Sequence, residues 1–200
     1  QTQTYVSNGS ADNSALFVNV PNSDAGRAGA PTALLNLLPT GNAARTVVLR
    51  VNLIATSSPD YIFGWGTPSN GQSFALEHGA STTTVSGWGQ QSQGFSANFT
   101  TSPAENTWVD YIIVFGGSQA KIYFNGQEFP AVAISNNVVG QQFVLGRSVI
   151  ATFGQASFYL DDLKIYNYAF TDQQALNYST NNNLPYIQNN ATITNITSSV

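Results

Sequence analysis

The sequence predicts an all-β fold: a two-sheet antiparallel jelly-roll sandwich with one short C-terminal helix. Short stretches of alternating apolar and polar residues recur along the chain, and Gly, Pro, Asn and Ser separate them. Many short strands joined by such turns are typical of sandwiches and jelly rolls. A helix-capping sequence follows the last predicted strand and predicts one short helix there.

The clearest strand pattern spans residues 46–54, where Val47 and every second residue after it are apolar and Arg50 lies on the opposite face. Successive side chains of a strand point to opposite faces, so this pattern predicts a half-buried strand. The stretch 108–115 is apolar on both faces except at Asp110, which predicts a central strand. Further strands are predicted at 61–65, 73–77, 84–88, 95–99, 121–124, 127–129, 143–146 and 157–166.

Turn and cap residues divide these strands. Asn125-Gly126 lies between two predicted strands, and both positions of a tight hairpin turn require positive φ, which Asn and Gly tolerate. Thr171 and Gln174 have the spacing of a capping box, so a helix is predicted to begin after Thr171. One more helical turn is predicted at 34–38.

The composition favours one large β domain with an unusual surface. Charged residues make up 8% of the 200 residues, against roughly 25% in an average soluble domain. The surface must therefore consist mainly of Asn, Gln, Ser, Thr and Gly, which favours a secreted or extracellular cell-surface location. Residues 1–180 are predicted to form the sandwich. Residues 181–200 are predicted to be a linker and a β-prone tail, which either begins a further domain or pairs with another subunit.

The charge distribution argues against nucleic acid as a partner. The net charge is −4, and the six basic residues are scattered singly, so there is no basic stripe for a phosphate backbone. Apolar runs such as 112–115 are too short for a membrane span. The chain has no cysteine, which excludes disulfides, a cysteine nucleophile and a thiolate metal site.

The stretch FYLDDLKIYNYAFTDQQALNYST, residues 158–180, resembles the closing strand and capped helix of laminin-G-like domains of the concanavalin A-like lectin/glucanase kind. TWVDYIIVF, AKIYFNGQEF and FVLGR are similar to that family's central strand, hairpin and penultimate strand, and FGWGTPSNGQSFALEHG resembles a bacterial surface-protein variant. The resemblance implies two packed sheets, one of them concave. It also implies a role in binding glycans or proteins or in spacing domains on a surface protein, and a structural Ca²⁺ in some members.

The carboxylates argue against glycoside cleavage. That reaction needs two carboxyl groups roughly 5–10 Å apart, flanking the bond. Hydrolases resembling this chain supply them from alternate positions of one strand, whereas Glu77, Glu105 and Glu128 have no acid two residues away. Asp161 and Asp162 are adjacent, so a regular strand would direct them to opposite faces. We therefore expect a protein that is not an enzyme.

His78 is the single histidine, so any Ser-His-Asp triad would depend on it. The alternative is a turn residue preceding Gly79. The motifs of polysaccharide lyases with the same fold are absent from the sequence. The leading hypothesis is a non-catalytic glycan- or protein-binding adhesion module. Alternatives are a structural subunit of a filament or layer that assembles through its terminal strand, and a polysaccharide-active enzyme.

Calcium is the predicted metal. In a regular strand Asp161 would share a face with Leu163 and Ile165, and an acid on an apolar face must be paired, hydrogen-bonded or bound to a metal. Calcium takes six to eight oxygen ligands, many from carboxylates. Alternatively, the two acids accept backbone N–H bonds from a loop. The predicted metal ligands are Asp161, Asp162, Asp12 and Asp24.

Two tryptophans are candidate ligand contacts. Trp65 and Trp88 both lie in Gly-Trp-Gly, where small neighbours can leave an indole face open for stacking on a sugar. Glu77, Gln90 and Asn70 would add hydrogen bonds to the same ligand. The alternative is that both indoles are core residues whose glycines permit close packing.

Overall fold

The computed structural model describes residues 4–6, 15–19, 28–29, 35–55, 60–87, 94–140, 142–149 and 156–181. They form two antiparallel sheets and one short helix, which confirms the predicted two-sheet sandwich. No helix within these ranges has the length and hydropathy that a membrane crossing requires.

Thirteen strands occur in the described ranges. They are β1 (Thr4–Val6), β2 (Ala15–Asn19), β3 (Ala28–Gly29), β4 (Arg45–Ala55), β5 (Asp60–Gly66), β6 (Ser73–His78), β7 (Thr83–Ser86), β8 (Ser96–Phe99), β9 (Trp108–Phe115), β10 (Gln119–Phe124), β11 (Gln127–Ala133), β12 (Phe143–Leu145) and β13 (Ser157–Tyr166). The seven-stranded sheet has the order β1-β2-β13-β4-β9-β10-β11, and the six-stranded sheet has the order β3-β12-β5-β6-β7-β8.

The core lies between the two sheets. The apolar face of β4, which includes Val47 and Leu49, meets Phe63, Phe74 and their neighbours from the six-stranded sheet. These side chains are fully or almost fully buried. The half-buried strand and the central strand predicted from the sequence are β4 and β9, and β9 pairs with residues 45–52 of β4 along its whole length.

A buried cation fixes the segment that precedes β4. The guanidinium of Arg45 donates hydrogen bonds to the carbonyls of Pro39, Gly41 and Ala43. It lies 4.9 Å from the ring centroid of Phe115, and the rings of Phe74 and Trp65 are also within 6 Å. Burial lowers the pKa of Arg45 to about 10. The arginine therefore holds residues 39–43 in one conformation against the core.

Helix α1 (Asp172–Asn181) begins as the sequence predicts. The backbone N–H of Gln174 donates to the Thr171 hydroxyl, and the N–H of Thr171 donates to the Gln174 side chain, which is a reciprocal capping box. The helix packs on the outer face of the seven-stranded sheet. The buried residues of this contact are Val48, Ile112, Tyr123, Tyr166, Phe170, Ala175 and Tyr178.

One prediction about β13 is wrong. Leu160 and Leu163 both pack in the core, three residues apart, because a bulge interrupts the pairing with β4 and Asp162 has a φ of 52°. The bulge breaks the alternation, so Asp161 does not share the core face of Leu163 and Ile165. The argument that adjacent acids point to opposite faces does not hold across this bulge either.

Candidate functional site

The outer face of the six-stranded sheet carries polar and small side chains. Phe74 and Leu76 of β6 pack in the core, so Ala75 and Glu77 face outward. The same alternation applies to β7, where Val85 is a core residue and its two neighbours face outward. This sheet therefore separates an apolar inner face from a polar outer face.

Four outward residues align across four neighbouring strands. Tyr61 pairs with Glu77, Glu77 pairs with Thr84, and Thr84 pairs with Asn98 in the strand register. Tyr61 is hydrogen-bonded to Glu77, and the Thr84 hydroxyl donates to the Asn98 side-chain oxygen at 2.8 Å. We call Tyr61, Glu77, Thr84 and Asn98 the polar row.

The polar row is accessible on two of its four strands, β6 and β8. Tyr61 and Thr84 are buried, Glu77 is partly exposed and Asn98 is exposed. Burial raises the pKa of the Glu77 carboxyl, and the hydrogen bond from Tyr61 opposes this shift. Burial also raises the pKa of the Tyr61 hydroxyl, which is further bonded to Ser86 and Ser148. The row thus exposes one carboxylate and one amide, each hydrogen-bonded to a buried hydroxyl residue of a neighbouring strand.

A line of small residues runs beside the polar row. Gly64, Ala75, Ser86 and Ser96 are paired in register across the same four strands. A Cβ atom at Gly64 would lie 3.3 Å from the Ala75 Cβ and 3.4 Å from a methyl group of Val149, so glycine permits close packing here. The segment that contains Val149 covers this end of the outer face.

The predicted ligand residues do not form one cluster. Glu77 belongs to the polar row, whereas Asn70 is exposed in the turn between β5 and β6, at the opposite end of β6. Trp88 and Gln90 lie outside the described residues, and their predicted role stays a prediction.

The structure corrects the ligand role predicted for Trp65. This side chain is 0% exposed and packs between Phe63 and Phe74 in the core. Its indole N–H donates to the carbonyl of Pro39 at 3.1 Å. A Cβ atom at Gly66 would collide with the carbonyl of Gln72, so this glycine serves backbone packing and leaves no indole face open.

A pair of carboxylates lies on the other sheet, and the sequence analysis did not predict it. Asp110 and Asp162 line a cleft of about 20 Å³ beside Tyr178, which is room for about one water molecule. Asp110 is 3.5 Å from Arg50, and Asp162 is 3.1 Å from Lys164. Burial raises the pKa of Asp110, while Arg50 lowers it and Asp162 raises it further. Only the register of three strands brings these residues together.

His78 is the last residue of β6, directly before the turn at Gly79. Its ring is buried, with Nε2 2.6 Å from the Ser102 hydroxyl, and Ser102 also donates to the carbonyl of Gly79. Burial lowers the His78 pKa, against an opposing effect of Glu105. No described residue forms a hydrogen bond with Nδ1. The hydrogen bond between Nε2 and Ser102 therefore links the end of β6 to the segment that contains Ser102.

The predicted calcium site remains a prediction. The described residues contain no group of three or more His, Cys, Asp or Glu side chains placed to hold a metal ion. Asp12 and Asp24 lie outside the described residues. One Asp161 carboxylate oxygen accepts the backbone N–H of Asp162, the next residue of the same strand, at 2.9 Å, and not an N–H from a loop.

Comparisons with known proteins place this geometry in a family context. Residues 22–175 match the family model described as the concanavalin A-like lectin/glucanases superfamily. A comparison with curated protein sequences gives no match.

Three solved structures illustrate the fold, and all are under 25% identical, so they bear on the fold alone. The heptameric pentraxin of Limulus polyphemus is 16% identical with a TM-score of 0.53, covering 72% of each chain. A candidate carbohydrate-binding protein from Bacteroides ovatus is 16% identical with a TM-score of 0.54, covering 70% of this chain and 42% of that one. The NanB sialidase of Streptococcus pneumoniae is 14% identical with a TM-score of 0.59, covering 80% and 27%.

Proposed function

Because the chain belongs to the concanavalin A-like lectin/glucanases superfamily, we propose that it is a non-catalytic module that binds a glycan on the outer face of its six-stranded sheet. The observation that carries this proposal is the polar row, in which Tyr61, Glu77, Thr84 and Asn98 stand in register across four strands. A ligand lying across the strands would meet the Glu77 carboxylate and the Asn98 amide.

The chemistry of the row suits sugar hydroxyl groups. The Glu77 carboxylate accepts hydrogen bonds, and the Asn98 amide can both donate and accept them. Tyr61 is hydrogen-bonded to Glu77 from the neighbouring strand, and Thr84 is hydrogen-bonded to Asn98 at 2.8 Å, so both groups are oriented before a ligand arrives. One solved structure with this fold is named as a candidate carbohydrate-binding protein, which agrees with this choice of ligand.

The absence of catalysis is part of the proposal. Glycoside cleavage needs a second carboxyl group near the first, whereas the titratable neighbour that affects Glu77 among the described residues is Tyr61. The other carboxylate pair, Asp110 and Asp162, is neutralised by Arg50 and Lys164. Incubation with a panel of polysaccharides should release no reducing or unsaturated ends, and the appearance of such ends would contradict this part.

A secreted or cell-surface location is also proposed. Its support is the surface composition, in which charged residues make up 8% of the chain and neutral polar residues replace them. Detection of the native protein by antibody on intact cells or in the medium is the expected result. Detection only after lysis would contradict it.

The binding test uses two matched carboxylate variants. Glu77→Gln removes the charged acceptor from the polar row, and Asp110→Asn removes a carboxylate from the outer face of the other sheet. We expect a glycan array to identify a ligand of the unmodified protein. Glu77→Gln should then weaken binding about tenfold, because hydrogen bonds to charged groups contribute about 1.5–3 kcal/mol.

Asp110→Asn should leave the affinity unchanged, and thermal unfolding should confirm that both variants are folded. Thr84→Val tests the row without changing its charge and should weaken binding less than Glu77→Gln. If Glu77→Gln and Asp110→Asn bind equally well, the ligand does not contact the polar row.

A further inference from the structure

A second concave surface lies at one end of the sandwich, away from the polar row. It is an open groove of about 680 Å³, within the range of about 300–1,000 Å³ that is common for small-molecule sites. We call it the end groove. Its lining residues are Asn42, Gly94, Gly117, Ser118, Ala133, Ile134, Ser135, Asn136 and Asn137.

One wall of the end groove is an extended segment, residues 133–139, in which exposed and buried side chains alternate. Ser135 and Asn137 are exposed, whereas Ile134, Asn136 and Val138 between and beside them are buried. This alternation directs two polar side chains outward while their neighbours anchor the segment in the protein.

Backbone hydrogen bonds hold this wall along its length. The N–H groups at positions 134, 135, 137 and 138 donate to the carbonyls of Ser118, Gly94, Gly71 and Gly41, at distances of 2.6–3.0 Å. Beside the wall, Arg45 donates to the carbonyls on both sides of Asn42. The end groove is therefore formed before any ligand binds, which reduces the ordering cost of binding.

The end groove carries no charge on any of its described lining residues. Its polar side chains are amides and hydroxyls, which both donate and accept hydrogen bonds. We propose that the end groove is a second binding site, specific for uncharged saccharides. An anionic saccharide would lose hydration of its charge there without gaining a cation, whereas neutral hydroxyl groups find matching partners.

A bound peptide strand fits this groove less well. Strand addition depends on free backbone N–H and C=O groups at an edge, but four N–H groups of the wall are already engaged within the protein. Recognition must then rely on the side chains of Asn42, Ser118, Ser135 and Asn137. These groups suit discrete hydroxyls better than a peptide backbone.

The inference is independent of the polar row, and the experiment separates the two sites. Uncharged oligosaccharides (maltohexaose, cellohexaose, xylohexaose and mannohexaose) are titrated into the full chain by calorimetry, with oligogalacturonate as the anionic counterpart. Ser135→Trp fills the groove, and Asn137→Ala removes one amide. Gln173→Trp places the same bulk on the exposed surface of helix α1 as a control.

We expect at least one uncharged oligosaccharide to bind and oligogalacturonate not to compete with it. Ser135→Trp should weaken binding by at least tenfold and Asn137→Ala by about threefold to tenfold, as the loss of one neutral hydrogen bond predicts. Gln173→Trp should bind as the unmodified protein does.

Three results would overturn the inference. The first is that no uncharged oligosaccharide binds. The second is that Ser135→Trp binds normally while its melting temperature shows a folded protein. The third is that Glu77→Gln abolishes binding and Ser135→Trp does not, which would leave the polar row as the site and remove the end groove.

Discussion

The outer faces of the two sheets differ sharply, although both belong to one sandwich. On the seven-stranded sheet, helix α1 covers Val48, Ile112 and Tyr123 with its own buried residues Ala175 and Tyr178. On the six-stranded sheet, the corresponding face carries the polar row and the line of small residues beside it. Helix α1 and its aromatic contacts cover one face, whereas the other face carries hydrogen-bonding groups.

The two outer faces therefore contribute differently to stability and to the proposed binding. A covered outer face adds apolar burial, which stabilises the sandwich at about 25 cal/mol per Å² of surface removed from water. A polar outer face adds less apolar burial, but it leaves Glu77 and Asn98 within reach of a ligand. Side chains that contribute most to stability and those available for binding should therefore lie on opposite sheets.

The largest expected effect comes from the covered face. Phe170→Ala should lower the free energy of unfolding by about 3–5 kcal/mol, because it leaves a cavity among Tyr166, Tyr168 and Tyr178. Ser86→Ala on the other face should cost about 1 kcal/mol, the contribution of one hydrogen bond to Tyr61. Urea denaturation measures both, and equal losses would show that the two faces do not differ in this way.

A smaller effect isolates the helix from the sheet beneath it. Thr171→Ala removes the side-chain acceptor for the N–H of Gln174 but leaves every aromatic contact in place. The expected loss is about 1 kcal/mol, as for other helix N-caps, and Thr171→Ser should restore most of it. If Thr171→Ala costs as much as Phe170→Ala, the cap, and not the aromatic contact, is what fixes the helix.

The smallest effect concerns the pH dependence of the polar face. Burial raises the pKa of Glu77 above its ordinary value of 4.5, so the folded protein holds this proton more tightly than the unfolded chain. The associated stability is complete below pH 4.5 and is lost as the pH rises through the raised pKa. Glu77→Gln lacks this loss, so its stability relative to the unmodified protein should increase across that interval.

Denaturation of both proteins at several pH values measures this difference. Asp110→Asn, from the other sheet, should show a change of the same sign, because burial also raises the pKa of Asp110 although Arg50 opposes the shift. A stability difference between Glu77→Gln and the unmodified protein that does not change with pH would mean that the Glu77 pKa is the same in both states.

Most of the fold could be predicted from patterns within single segments, whereas most of the candidate site depends on pairing between strands that are distant in sequence. The strand at β4, the Asn125-Gly126 turn and the Thr171 cap depend on residues within one segment, so the sequence was sufficient to predict them. The bulge at Asp162 depends on pairing with β4 and could not be derived from alternation. For this reason the prediction from alternation placed Asp161 on the wrong face of β13.

The candidate site shows the same limit. Glu77 could be selected from its residue type, but its neighbours Thr84 and Asn98 come from two other strands and require their register. The Gly-Trp-Gly sequence was ambiguous, because glycine neighbours can either leave an indole face open or permit close packing around a buried indole. At Trp65 the collision that a Cβ would cause at Gly66 decides for packing.

The alternation that separates the two sides of the six-stranded sheet also has an evolutionary consequence. Positions 77, 84 and 98 each lie beside core residues in sequence, yet their side chains leave the hydrophobic interior untouched. Under the proposed function, a library randomised at the two accessible positions, 77 and 98, should change ligand preference on an unchanged scaffold, whereas the buried Thr84 keeps its hydrogen bond to Asn98.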